Sequence, residues 1–279
     1  MADTPLDLDQ IHARLDQAGA ADADLDLAGT ALLFAALDRP QTALARYHHH
    51  LATLVDETAA AAAGAATIAD CAAALARVMA EGHGYAGDSE TYDDMRNANL
   101  MHVIDRRRGL PVALGILYAH VARAQGWGLV GLSFPGHFLV RLDAAGGRAI
   151  LDPFGGGAML DPAALRALAK RMGGAEAELD PLYYEPVSDR DVLLRLQNNI
   201  KLRALQAEDF ARAAEVARAM LRLAPASAPL WHELGAFEAQ QGKLGDAIAA
   251  LESCLAVCED ERQRQQVRAT LQKIRGSLH

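Results

Sequence analysis

Three cysteines, Cys71, Cys254 and Cys258, are all that the 279 residues contain. They are too few for a disulfide framework and make no zinc set, so the expected setting is a reducing cytoplasm. Aromatic residues are sparse at 5%, and a basic excess is missing: the formal net charge is −9. A nucleic-acid partner needs a positive surface to neutralise phosphates, so none is expected. Long apolar runs are absent too. The longest, Leu110 to Ala124, is interrupted by Tyr118, His120 and Arg123. It falls short of the roughly 20 residues of a spanning helix, so no membrane association is expected. The opening residues, MADTPLDLDQ, hold no basic n-region, and no secretory signal is expected.

What the chain has in abundance is alanine, about a fifth of all residues, which marks a helix-forming composition. The length permits two domains. From Asp9 to about Glu81 the pattern reads as three alanine-rich helices separated by Gly29, by Arg39-Pro40 and by the Ala59 to Ala66 tract. His48, His49 and His50 are adjacent there. Neighbouring helical positions point about 100° apart, so the three cannot share a metal, and neither metal nor cofactor is expected. The run from Glu81 to Asp88 is turn chemistry. A further helix is predicted from about Asp94 to Arg108, closed by Gly109, with Arg106, Arg107 and Arg108 complementing the negative end of its dipole.

Pro111 suits the first position of the next helix and Gly126 its end. Apolar residues cover most of its circumference, so it should be buried. The period then changes to two. Leu129 to Phe134, His137 to Leu142 and Ala149 to Phe154 read as three antiparallel strands, broken by Pro135-Gly136 and by Ala144 to Gly147. The fold class is therefore α+β, mostly helical, with a small antiparallel sheet. Asp180-Pro181 and Glu185-Pro186 interrupt helix formation. They suggest a first domain over residues 1–183, with a helical N-terminal region over residues 1–90 and a core over residues 91–180, and a second domain over residues 186–279.

The second region repeats. Trp231, Leu234, Gly235, Ala247, Leu251 and Cys254 fall on the spacing of a tetratricopeptide unit, and Ile200, Ala204, Ala213, Ala217, Met220 and Pro225 occupy the same register one repeat earlier. Two units are few for an independent solenoid, so a capping helix from about Glu261 to Arg275 is expected to cover them. Such repeats point to a protein or peptide partner; no oligomeric state follows from them.

One pair could carry chemistry. His137 opens the second strand and Asp152 stands near the end of the third. If the connection between them holds an even number of loop residues, both side chains share one face and the imidazole can reach the carboxylate. An odd loop or a bulge would separate them. Beside the start of a buried helix, a His–Asp pair is the scaffold of a cysteine nucleophile system.

The order helix, strand, PGH, strand, DPF resembles the transglutaminase-like superfamily, with its papain-like core. The segments NANLMHVIDRRRGLPVALGILY, FPGHFLVRL, ILDPFGGG and LLRLQNNIKLRAL resemble the SirB family of bacterial proteins, a transglutaminase-like domain followed by tetratricopeptide repeats. The resemblance covers nearly the whole chain and implies a cysteine at the start of the helix that Gly126 ends. Pro111 holds that position, and no Ser, Thr or Cys lies between Arg106 and Leu132. Cys71 and Cys254 read as packing residues. Two functional classes follow: a regulatory or binding protein on a scaffold without its nucleophile, or a hydrolase in which His137 acts as general base and Asp152 orients it.

Overall fold

The computed structural model describes residues 4–20 and 25–276. Helix α1 spans Leu8–Ala20 and α2 spans Leu27–Leu37. Asp26 caps α2 by accepting the Gly29 N–H at 2.9 Å. Gly29 thus lies inside the first turn and is not the break expected there, because the cap satisfies an amide that a helix start leaves open. Helix α3 (Ala45–Ala61) runs into the alanine tract and α4 (Ile68–Ala76) follows, so among the described residues this region holds four helices rather than three. Alanine prolongs a helix; the turn comes at Gly64, whose φ is +85°. A capping box between Thr67 and Asp70 starts α4, and a π-helical turn, Arg77–Gly82, continues it.

Strand β1 (Ala86–Gly87) precedes a 3₁₀ turn at Met95–Ala98 and α5 (Leu100–Arg106). The single helix expected from Asp94 to Arg108 is split because Asn99 caps a new one, accepting the His102 N–H at 3.2 Å. Arg107 then ends it in the left-handed region at φ +59°. Strand β2 (Arg108–Gly109) pairs in parallel with β1. Helix α6 runs Pro111–Ala124 with proline in its first turn, and eleven of its residues are buried. Gly126 follows at φ +76°.

Five strands form the main sheet. They are β3 (Gly128–Leu132), β4 (Val140–Ala144), β5 (Gly147–Asp152), β6 (Ala158–Met159) and β7 (Pro186–Val187). Their order is β6-β5-β4-β3-β7, with every pair antiparallel. Phe138 fills the space that Gly115 of α6 and Gly131 of β3 leave open; an added Cβ would stand 2.5 and 2.6 Å from its ring. Helix α7 (Pro162–Gly173) adds Leu165, Leu168 and Ala169 to a cluster with Leu132, Phe134 and Leu139.

The remaining helices are α8 (Asp189–Gln206), α9 (Phe210–Leu223), α10 (Ala228–Gln240), α11 (Leu244–Val257) and α12 (Glu261–Gly276). Gly235 lets α10 approach α11 at Ala247 and Leu251. The last helix buries Val267 and Leu271 against Ala228, Leu251, Cys254 and Cys258. The chain divides into two compact units, one of residues 1–8 and 25–196, the other of residues 9–24 and 197–279. Among the described residues no helix is long and apolar enough to cross a membrane.

Candidate functional site

The β4–β5 hairpin sets the geometry. Ala144 pairs with Gly147, which leaves Ala145 and Gly146 as a two-residue turn with φ +49° and +70°, the left-handed pair that a tight hairpin of right-twisted strands prefers. The loop is even. Val140 faces Leu151; continuing the register sets Asp152 opposite Leu139 and diagonal to His137. His137 stands just before β4 in the bend that follows Pro135-Gly136, not inside the strand. Its Nε2 lies 2.9 Å from Oδ1 of Asp152, and the histidine and aspartate side chains are only 10% and 19% exposed. Asp152 Oδ1 also accepts the Phe154 N–H at 3.0 Å, which holds the carboxylate toward the ring.

Side chains from distant segments complete the surroundings. The Phe154 ring meets His137 edge-on, 5.9 Å between centroids, and Tyr92 meets Phe154 at 6.0 Å. Gly87 has no Cβ to collide with Phe154, and its N–H donates to the Phe154 carbonyl at 3.0 Å. Arg195 of α8 donates to the His137 carbonyl at 3.0 Å and lies over the Phe138 ring at 5.3 Å. Burial lowers the pKa of its guanidinium. Tyr118 of α6 is fully buried beside Gly157, and its hydroxyl makes no hydrogen bond. Burial, and then the charge of Asp152, push its pKa far up.

The sequence pattern assigned no role to Tyr92, Tyr118, Phe154 or Arg195. Tyr118 had a signal: Pro111, Gly115 and Tyr118 recur at four and then three residues along α6, one helical face, with glycine where the sheet comes close. Arg195 lies in the segment LLRLQNNIKLRAL that carries the resemblance, but no spacing ties it or Tyr92 to the pair, since both are brought in from far along the chain.

The other candidates lie elsewhere. His48 and His49 are exposed. His50 is half-buried; its Nε2 stands 2.8 Å from the Tyr85 hydroxyl, and Arg107 reaches both. Burial, followed by the charges of Arg107 and His83, lowers the His50 pKa to about 4. Among the described residues no group of three or more His, Cys, Asp or Glu is placed to hold a metal ion. Of the arginine triplet, only Arg106 sits in the last turn of α5. It pairs with buried Asp88 at 2.8 Å, while Arg107 covers the Tyr85 ring and Arg108 donates to the Gly84 carbonyl. Cys71, Cys254 and Cys258 are buried and free, and burial raises the pKa of the Cys71 and Cys254 thiols.

A family model described as the transglutaminase-like superfamily matches residues 45–198, and a tetratricopeptide-repeat model matches residues 200–272. A UPF0162 protein of Xylella fastidiosa is 32% identical over 71% of this chain and 72% of its own length. A UPF0162 protein of Pseudomonas aeruginosa is 30% identical over 71% of this chain and 72% of its own. A crystal structure of menin covers 95% of this chain and 74% of its own at a TM-score of 0.45 and 12% identity. The relatives carry the name UPF0162 and not SirB. With a superfamily model spanning more than half of its length and a UPF0162 relative matched over more than two thirds of both proteins, the chain belongs to the transglutaminase-like superfamily and to the UPF0162 family.

Proposed function

We propose that this chain is a regulatory or protein-binding protein of the SirB type, working in the cytoplasm. It is built on an acyl-transfer scaffold that lacks the nucleophilic cysteine, and its repeats hold a protein or peptide partner. The observation that carries this reading is Pro111 at the start of α6. A thiol at the start of a buried helix would be activated by the helix dipole and a neighbouring imidazolium; proline offers no heteroatom for attack. The three thiols that exist are buried, and a buried thiol in apolar surroundings is inert.

The His137–Asp152 hydrogen bond favours a second reading, an unconventional hydrolase. With Nε2–H donated to the carboxylate, Nδ1 keeps its lone pair and can take a proton from water. The pair also serves the fold by satisfying a buried ring nitrogen and a half-buried carboxylate and by joining the bend before β4 to β5. A pull-down with the intact protein and with His137→Ala, followed by mass analysis of the captured proteins, separates the two. Shared, unaltered partners support the binding protein. A cleaved or hydrolysed partner that appears only with His137 present supports the hydrolase.

A further inference from the structure

The second unit contains a groove of about 620 Å³ bordered by α9, α10 and α11, with Asp16 of α1 at one edge. Its floor is apolar: Leu221 and Leu234 are buried there. Trp231 lines the groove, and its indole N–H donates to the Pro225 carbonyl at 2.8 Å, which holds the ring.

The charges along this groove do not cancel. Arg222 is engaged by Asp16 at 2.8 Å, and Arg218 is engaged by Oε1 of Glu238. One carboxylate, that of Asp246, is left without a cation among the described residues, and the paired Glu238 keeps one oxygen without a donor. Asp246 is exposed and has no ion pair among the described residues. Glu238 is 1% exposed, and its second carboxylate oxygen, Oε2, makes no hydrogen bond. Lys243 Nζ stands 3.9 Å from Oε2, beyond hydrogen-bond reach. A buried carboxylate oxygen without a donor is costly, and a donor brought by a ligand removes that cost. The face of an indole, such as that of Trp231 in the same groove, attracts cations.

We propose that this groove receives an arginine side chain from a protein partner, stacked on Trp231 and donating to Glu238 and Asp246. A guanidinium suits the place because it is planar, always charged and carries five donors, so stacking and paired hydrogen bonding proceed together. Its stem lies along the leucines of the floor. The inference rests on the reading above that the repeats hold a partner, and it adds the chemistry by which that partner is recognised.

The test uses the full chain and three capped pentapeptides, acetyl-Ala-Ala-Arg-Ala-Ala-amide and its glutamate and norleucine counterparts. Binding is followed by the NMR signal of the Trp231 indole N–H, assigned with Trp127→Phe. The arginine peptide is expected to shift that signal saturably and the other two not. Glu238→Gln should weaken the binding about tenfold. Asp246→Asn, at an exposed position that leaves the fold intact, should weaken it about threefold. Equal or tighter binding of the glutamate or norleucine peptide overturns the proposal while leaving the repeats as a partner surface of other chemistry. No saturable shift with any peptide overturns it as well, and the pull-down then decides whether the repeats bind a partner at all.

Discussion

Asp152 accepts a hydrogen bond from His137 and another from the Phe154 N–H on the same oxygen, Oδ1, at 2.9 and 3.0 Å. One carboxylate therefore ties the bend before β4 to the chain leaving β5. The backbone amide fixes the rotamer, and the rotamer fixes the ring.

Asp152→Asn keeps the shape and removes the charge. Losing the charge-assisted bond to a largely buried ring should destabilise the protein by about 1–2 kcal/mol in urea unfolding. The ¹⁵N shifts of His137 should move away from the pure Nε2–H tautomer that the carboxylate selects. Unchanged ¹⁵N shifts would mean that the aspartate does not choose the tautomer.

Gly115→Ala tests the contact between α6 and the sheet. In an exposed helix the change would stabilise by about 1 kcal/mol. Here the new methyl meets the Phe138 ring at 2.5 Å, and overpacking a closed core costs about 1–3 kcal/mol. The melting temperature should fall; a rise would show that Phe138 repacks freely.

His50 carries a pH dependence whose sign is set by its lowered pKa. Unfolded, the ring takes up a proton below about 6.5; folded, burial and Arg107 delay this until about pH 4. The neutral ring's contribution to stability is present above the unfolded value and is lost as pH falls from there toward 4. His50→Gln should flatten the stability profile between pH 6.5 and 4, read from urea midpoints. Parallel profiles for the two proteins would assign the slope to other groups.

Iodoacetamide should leave the folded protein unmodified over hours, since all three thiols are buried and burial raises the pKa of Cys71 and Cys254. Intact-mass measurement should show three additions only after denaturation. Rapid labelling of Cys71 in the native state would contradict its place in the interior of α4.

The local grammar of the chain determined much of this protein. Pro111 and Gly126 set the two ends of α6 because each acts through its own backbone, and the repeat spacing set α10, α11 and the covering helix α12. Period-two patterning located the hairpin and made the meeting of His137 and Asp152 conditional on one number, the parity of a turn. The tertiary structure supplied that number. Two local signals went unread: the Asp26 cap that begins α2, and the Asn99 cap that splits the helix expected from Asp94 to Arg108. The two-residue strands β1, β2, β6 and β7 are too short for any periodicity to show; only a partner strand defines them. Tyr92 reaches the Phe154 ring, and Arg195 the backbone carbonyl of His137, from segments far apart in sequence. A propensity or a cap acts within a few residues and is written there, whereas a juxtaposition of distant side chains exists only once the core between them has closed.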